Sequence, residues 1–260
     1  MITVKNDGDF GNHLFQYFFL RTHAEKNNLD WFFLDHWDNN PKYNTAYNNI
    51  FDYFDLPKGN ISNPVNLSSL NKVKVPNKFI DLGVEDNILY EGYFQTDLYL
   101  KNNKENIKLW LKPKDNIIKS CEFIIQDIKN KLGCEINEIG VLHYRGTSYK
   151  NLNYDLPKYW FEEAKSMLGE SVKKYVVFTD DVQTAQNMWG DEHLIISNNR
   201  ILDFVTMFEF QNFIISPSSF SFWPAWISGK KVVAPKFWFG HSKQIWKPSI
   251  DIQVSDWLYL

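Results

Sequence analysis

Arg145 is the residue of this chain whose type and position most directly suggest chemistry. It follows a short apolar segment, Ile139–Leu142, and precedes a glycine, which predicts a buried strand ending in a turn. The chain has only three arginines, Arg21, Arg145 and Arg200. A guanidinium at the carboxyl end of a strand suits bidentate recognition of an anion better than an ammonium group does. An ordinary surface ion pair is the alternative interpretation.

Two aspartates follow the next predicted strand. Asp180 and Asp181 come shortly after Tyr175–Phe178. Because functional groups of parallel sheets gather at the carboxyl ends of the strands, we expect these carboxylates near Arg145. One of them can accept hydrogen bonds from the donor edge of a guanine ring. The alternative is that one caps the helix predicted from Val182, since Asp is a preferred N-cap residue.

Two serines and a phenylalanine follow another predicted strand, Phe213–Ile215. A hydroxyl of Ser218 or Ser219 beside the exposed N–H groups of a helix start forms a phosphate site. Helix capping is the alternative for the serines. The aromatic run that begins at Phe220 can either form a platform for a ligand or lie in the core.

A glycine-bearing loop, Gly8-Asp-Phe-Gly-Asn12, follows the first predicted strand, Ile2–Lys5. It lacks the third glycine of the dinucleotide-binding fingerprint. Asp7 and Asp9 also form a D-x-D pattern, which can hold a divalent ion on a diphosphate. Its place after the first strand argues against that role, so no metal is expected.

The elements that must position these groups alternate between strand and helix. The first half opens with a strand, the glycine loop, a helix (Leu14–Lys26) and a strand (Leu29–Leu34), whereas residues 36–80 are predicted to be irregular. The second half contains four strand–loop–helix units in series. Such a series predicts a parallel sheet covered on both faces, so we expect an α/β fold with domains 1–134 and 135–260.

The composition excludes several classes of protein. A net charge of −3 without a basic stripe argues against a nucleic-acid binder. Two cysteines, Cys121 and Cys134, make neither a disulfide framework nor a zinc site, which favours a reducing compartment. Because no signal peptide or membrane span is evident, we expect a cytoplasmic protein. The 17% of aromatic residues fits either a bulky core or stacking on sugars and bases.

Six segments in order resemble the α-1,2-fucosyltransferases of glycosyltransferase family 11, and more loosely the wider group of inverting fucosyltransferases. They are GDFGNHLFQY at 8–17, GYFQT at 92–96, HYRGTSY at 143–149, FTDD at 178–181, PSSFSFWPAW at 217–226 and VAPKFWF at 233–239. Each segment is modest alone, but together they span nearly the whole chain and are fairly specific.

The resemblance implies a GT-B fold, in which two Rossmann-like domains with parallel sheets face each other across a cleft. It implies inverting transfer from GDP-fucose, bound by residues 135–260, to a glycan acceptor against residues 1–134, without a cofactor or metal. The 2-hydroxyl of galactose is the first acceptor to test. A lipid-linked acceptor would bring the protein to the inner face of a membrane as a peripheral protein.

The resemblance also implies roles for individual residues. Arg145 would bind the diphosphate, with His143 supporting its orientation. The other substrate-binding residues expected in the second domain are Asp180 or Asp181 at the guanine edge and Ser218, Ser219 and Phe220 beside the phosphates. In the first domain, the residues that would let the backbone approach the sugar are Gly8, Gly11 and Asn12, and the candidate general bases are Asp9 and His13.

The chain departs from the family at two positions. Gly146 replaces the second arginine of the family motif and Ser148 replaces its aspartate. A lost charge-assisted contact is worth roughly 1.5–3 kcal/mol, and Lys150, Arg200 and Lys236 are candidates to replace it. A transferase that uses another nucleotide sugar, and a non-catalytic glycan-binding relative, therefore stay open as alternatives.

Overall fold

The computed structural model describes residues 1–34, 49–61, 66–76, 78–190, 192–237 and 254–260. These residues form two compact units, each built on its own parallel sheet. Of the described residues, 1–112 and Val254 belong to the first unit, and 113–237 with 255–260 belong to the second. The α/β class and the two parallel sheets predicted from the sequence are confirmed.

The first unit contains a four-stranded sheet with the strand order β2-β1-β4-β3. Its strands are β1 (Ile2–Lys5), β2 (Trp31–Phe32), β3 (Asn71–Lys74) and β4 (Ile88–Glu91), and its helices are α1 (Phe10–Asn27) and α2 (Lys104–Trp110). Strand β3 lies in the region predicted to be irregular. It is a largely exposed edge strand with the sequence Asn-Lys-Val-Lys, so it carries no apolar strand signal.

Helix α1 begins at Phe10, before the predicted start at Leu14. The loop predicted around Gly11 is therefore the first turn of this helix. The helix is buried over most of its length, and the ring of Phe19 stacks on Phe94 with centroids 3.7 Å apart. The ring of Phe19 also packs edge-to-face on Tyr90 of β4, with centroids 5.5 Å apart, so aromatic contacts hold α1 against the sheet.

The second unit contains a six-stranded sheet with the strand order β10-β9-β8-β5-β6-β7. Its strands are β5 (Ile139–Tyr144), β6 (Lys174–Thr179), β7 (Leu194–Ile196), β8 (Asn212–Ile215), β9 (Lys231–Ala234) and β10 (Leu258–Tyr259). Its helices are α3 (Asp115–Leu132), α4 (Thr147–Leu152), α5 (Lys158–Leu168), α6 (Val182–Trp189), α7 (Arg200–Met207) and α8 (Ser219–Ser228).

Strand β5 lies at the centre of this sheet and is buried in all six residues. It pairs in parallel with β6 on one side and β8 on the other. The continuous apolar sequence therefore reflects a strand covered on both faces. The loops that follow β5, β6 and β8 emerge side by side at one edge of the sheet.

The division between the two units falls between Lys112 and Pro113, well before the expected boundary at residue 134. Helix α3 belongs to the second unit because it packs on α7. The Cys121 thiol is buried there and donates a hydrogen bond to the carbonyl of Leu202, 3.6 Å away. The predicted boundary at residue 134 put α3 in the first domain. The sequence could not correct this, because an amphipathic helix does not reveal which sheet its apolar face covers.

None of the helices within the described ranges is both long and apolar enough to cross a membrane. The last of the six segments, 233–239, is described as far as Phe237, so its two final residues lie outside the described part of the chain.

Asp203 in α7 links the stability of the second unit to pH. Its side chain is 6% exposed and accepts hydrogen bonds from the backbone and side-chain amides of Asn198, at 3.1 and 3.0 Å. Burial raises the pKa of Asp203 to about 6, although the bonds from Asn198 oppose this. Because the folded pKa exceeds the unfolded one, ionisation of Asp203 costs stability as the pH rises from about 4 to about 6.

We expect the free energy of unfolding of Asp203→Asn, relative to the natural protein, to rise by about 2–3 kcal/mol between pH 4 and pH 7. Urea unfolding at the two pH values measures this difference. Asp127→Asn, at a surface carboxylate of α3 that pairs with Lys131, is the control for removal of a charge. A difference that stays constant or falls with pH would contradict the prediction.

Candidate functional site

Arg145 lies directly after β5, at the carboxyl edge of the second sheet. Its Nη1 atom is 2.6 Å from Oδ2 of Asp180, which lies in the loop after the neighbouring strand β6. The side chains of Arg145 and Asp180 are 28% and 25% exposed, so the pair is partly open to solvent. The ion pair considered as the alternative interpretation of Arg145 is therefore present. Part of the Arg145 side chain nevertheless remains exposed, so an anion can approach it.

Asp180 holds the turn after β5 as well as the guanidinium. Its Oδ1 accepts a hydrogen bond from the Gly146 N–H at 2.8 Å, and its Oδ2 accepts one from the Thr147 hydroxyl at 2.5 Å. Three consecutive residues therefore bind one carboxylate. The carboxylate fixes the turn, and charge-assisted bonds of this kind are stronger than neutral ones.

Asp181 is the N-cap of α6, as one of the two aspartates was predicted to be. Its carboxylate accepts bonds from the backbone N–H of Thr184 at 3.1 Å and from the Thr184 hydroxyl at 2.9 Å. The ammonium group of Lys150, on α4, lies 2.8 Å from Asp181 Oδ2. Burial opposes ionisation, but these bonds outweigh it and lower the pKa of Asp181. Lys150, one of the three candidates for a second cation, is thus at this edge.

Gly146 allows the loops after β5 and β6 to approach each other closely. A Cβ atom at this position would lie 2.5 Å from the Cβ of Asp181 and 2.9 Å from the ring of Tyr144. The arginine of the family motif therefore does not fit here unless Asp181 moves. In this chain, Asp181 occupies the space that a side chain at position 146 would enter.

His143 is 5% exposed, and its Nδ1 has no hydrogen-bond partner among the described residues. Its ring lies 5.7 Å from that of Phe220, centroid to centroid. Burial lowers the pKa of His143 well below its usual value of 6.5, and the neighbouring Arg145 guanidinium lowers it further against the opposing effect of Asp180. The imidazole is therefore neutral at physiological pH and adds no positive charge to the site.

The serine segment begins α8. Ser218 is buried, and its hydroxyl accepts a hydrogen bond from the N–H of Phe220 at 3.3 Å, so it is the N-cap residue. Ser219 and Phe220 are half-buried in the first turn. The capping interpretation of Ser218 is confirmed, and phosphate binding by this helix start stays a prediction.

The residues predicted at the first sheet lie together at the start of α1. Gly8 has φ +84°, and a Cβ atom there would collide with the Asn12 side chain. The carbonyl of that Asn12 side chain accepts a bond from Gln95 Nε2 at 2.6 Å. Asp9 is exposed at the N-cap of α1, whereas Gly11 and His13 are buried.

Asp7, the first aspartate of the D-x-D pattern, accepts hydrogen bonds with both of its carboxylate oxygens. Its Oδ1 accepts a bond from the Gly8 N–H at 2.8 Å, and its Oδ2 accepts one from the Tyr93 hydroxyl at 3.2 Å. Elsewhere in the described ranges, Glu162, Glu192 and His193 could together ligate an ion. The Lys165 ammonium already lies between two of these groups, 2.7 Å from Glu162 and 2.5 Å from His193.

Two residues that organise the edge around Arg145 were not predicted from the sequence. One is Thr147, which binds Asp180. The other is Ser216, whose hydroxyl accepts a bond from the Arg145 N–H at 3.0 Å. A polar residue at the carboxyl end of a strand adjacent to β5 was the signal available for Ser216. That signal depends on strand order, which the sequence did not supply.

The chain is similar to a curated enzyme, while no protein-family profile matches it. Over 182 residues it is 26% identical to the O-antigen biosynthesis glycosyltransferase WbnK of Escherichia coli, which covers 62% of this chain and 59% of WbnK. The match thus spans about three fifths of that relative.

Two solved fucosyltransferases have a similar structure. The α-1,6-fucosyltransferase NodZ, soaked with GDP-fucose, gives a TM-score of 0.53 at 13% identity and covers 87% of this chain and 91% of NodZ. A mutant of FUT1 from Arabidopsis thaliana in complex with GDP gives a TM-score of 0.53 at 10% identity and covers 97% of this chain and 74% of FUT1. At these identities the likeness establishes the fold, and it confirms the GT-B-like architecture expected from the sequence.

We expect Gly146→Ala to destabilise the second unit by about 1–3 kcal/mol, because the added methyl group must displace Asp181 from its cap. Thermal unfolding measures the change. Gly83→Ala is the matched control, since a Cβ atom there meets nothing within 4 Å. Equal melting temperatures for the two variants would show that the loops after β5 and β6 are not in close contact.

We expect the ring protons of His143 to keep constant chemical shifts between pH 5 and pH 8, because the buried imidazole stays neutral over this range. A histidine-resolved NMR titration, with His143→Gln to assign the resonance, checks this. A midpoint near 6.5 would show that the ring is solvated or paired with a carboxylate.

Proposed function

We propose that this chain is a glycosyltransferase that moves fucose from GDP-fucose to a glycan hydroxyl, with inversion at the sugar carbon and without a metal ion. The observation that carries the proposal is Arg145, a partly exposed guanidinium held at the carboxyl edge of a Rossmann-like sheet. NodZ soaked with GDP-fucose and FUT1 bound to GDP share this fold and support the donor. The similarity to WbnK supports glycosyl transfer. The six sequence segments support the family 11 type of reaction, with the galactose 2-hydroxyl as acceptor.

The reaction makes a bond between the acceptor oxygen and C1 of fucose and breaks the bond between C1 and the β-phosphate oxygen. The electron pair of the broken bond leaves with GDP, so negative charge grows on the diphosphate while positive charge spreads over the sugar ring. Donors that are fixed in place beforehand stabilise such charge without reorganisation.

Two groups at the second sheet supply that stabilisation. Arg145 contributes a guanidinium whose orientation is fixed by Asp180. The start of α8 contributes helix-end N–H groups, which favour anions. A hydrogen bond shows that the two groups are close together. Tyr149, four residues after Arg145, donates it to the carbonyl of Pro217, just before α8, at 2.9 Å.

The acceptor hydroxyl loses its proton to a general base as the new bond forms. Asp9 and His13 are the candidates in the first unit. Asp9 is exposed at the start of α1, whereas His13 is 6% exposed. Accessibility therefore favours Asp9.

The contacts of the two aspartates favour structural roles over recognition of guanine. Asp180 already binds three donors of the turn, and Asp181 binds Thr184 and Lys150. We therefore assign Asp180 to the orientation of Arg145 and Asp181 to the cap of α6. The proposed partners remain a nucleotide-sugar donor and a glycan in the cytoplasm, with peripheral membrane association where the acceptor is lipid-linked.

We expect Arg145→Ala to weaken GDP binding by about 10- to 100-fold, which corresponds to a charge-assisted contact of about 1.5–3 kcal/mol. The rate of fucosyl transfer should fall by more, since the diphosphate gains charge in the transition state. Calorimetry with GDP and a transfer assay with galactose-terminated glycans measure the two effects.

Lys173→Ala is the control for this variant, because Lys173 is a cation of the same unit at the opposite, amino edge of β6, paired with Glu138. Near-normal turnover in Arg145→Ala would refute the role of Arg145. Tighter binding of UDP or TDP than of GDP by the natural protein would favour a different sugar donor. Failure to bind any nucleotide would favour a non-catalytic glycan-binding protein.

A further inference from the structure

Ser216 lies directly after β8 and is 1% exposed. Its hydroxyl donates a hydrogen bond to the carbonyl of His143 at 2.7 Å and accepts one from the N–H of Arg145 at 3.0 Å. Its own backbone N–H donates to the same His143 carbonyl at 3.1 Å. Both capacities of this single hydroxyl are therefore used on the two residues that flank Tyr144.

This arrangement continues the pairing of β5 and β8 beyond the ladder. The last registered pair of the two strands is His143 with Ile215. Ser216 follows Ile215 directly, and its side-chain oxygen, in the place of its backbone carbonyl, accepts the hydrogen bond from the N–H of Arg145, two residues beyond His143. The hydroxyl thus anchors the backbone of Arg145 to the sheet where the strand itself has ended.

Arg145 is held at two points by two different loops. Ser216 holds its backbone from the β8 side, and Asp180 holds its guanidinium from the β6 side. An arginine has many rotamers, so fixing only one end leaves the other free to move. With both ends fixed, the guanidinium has a defined position, which is what a preorganised anion site requires.

We infer that Ser216 is a positioning residue for Arg145 and so sets the affinity of the site for the diphosphate of the donor. The inference rests on the proposed function. Ser216 acts through Arg145 and does not itself touch the donor.

A double-mutant cycle on GDP binding tests this inference. In the natural protein, we expect Ser216→Ala to weaken GDP binding by about three- to tenfold, the worth of one hydrogen bond. In the Arg145→Ala background, we expect Ser216→Ala to change GDP affinity by less than about twofold. Ser228→Ala is the matched control, because the Ser228 hydroxyl donates to the carbonyl of Pro224 at the far end of α8.

A merely structural role for Ser216 would lower GDP affinity by the same factor in both backgrounds, or leave it unchanged in both, and either result would overturn the inference. Should Ser216→Ala fail to fold, Ser216→Cys replaces it, since the thiol has a similar shape but hydrogen-bonds weakly. Absence of GDP binding by the natural protein would sink the proposed function as well. GDP binding that depends on Arg145 but not on Ser216 would sink only the inference.

Discussion

The ion pair between Arg145 and Asp180 joins two loops that follow adjacent strands of one sheet. A partly exposed ion pair contributes little to stability, on the order of 1 kcal/mol, so its importance here is geometric. The carboxylate also binds Gly146 and Thr147, and the turn after β5 is built around it. A guanidinium fixed in this way needs little rearrangement when an anion arrives.

The same edge contains a second pair of opposite charges, Lys150 and Asp181. The opposite charges cancel within each pair, so these four residues give the edge no surplus of positive charge. Under the proposed function, binding of a diphosphate here would depend on the orientation of particular donors. This is the electrostatic preorganisation on which transfer without a metal would rely.

Close packing of the loops limits which residues this edge can accept. Gly146 is in contact range of Asp181, so a larger side chain there competes with the cap of α6. Aromatic residues fill much of the core of the second unit. The largest fully buried side chains include Trp189, Trp223 and Trp226 of the second unit. From the sequence, the aromatic residues could serve either the core or stacking on a ligand. Many of them are therefore core residues.

The sequence determined the elements and the chemistry that they carry. Buried strands such as β5 and the helix start at Val182 were predictable, because burial on both faces and N-caps leave local signals. The position of Arg145 at a strand end and the cap by one of two aspartates followed from the same signals. The edge strand β3 was not predictable, because its sequence is polar. The sheet that α3 covers was not predictable either, because an amphipathic helix does not show which partner its apolar face contacts.

Only the tertiary structure decided which groups meet. It paired Arg145 with Asp180 and Lys150 with Asp181, placed Ser216 under the backbone of Arg145, and closed the space beside Gly146. These contacts join residues that are 31 to 71 positions apart. They follow from the order β8-β5-β6, and strand order is set by long-range packing that no local pattern encodes.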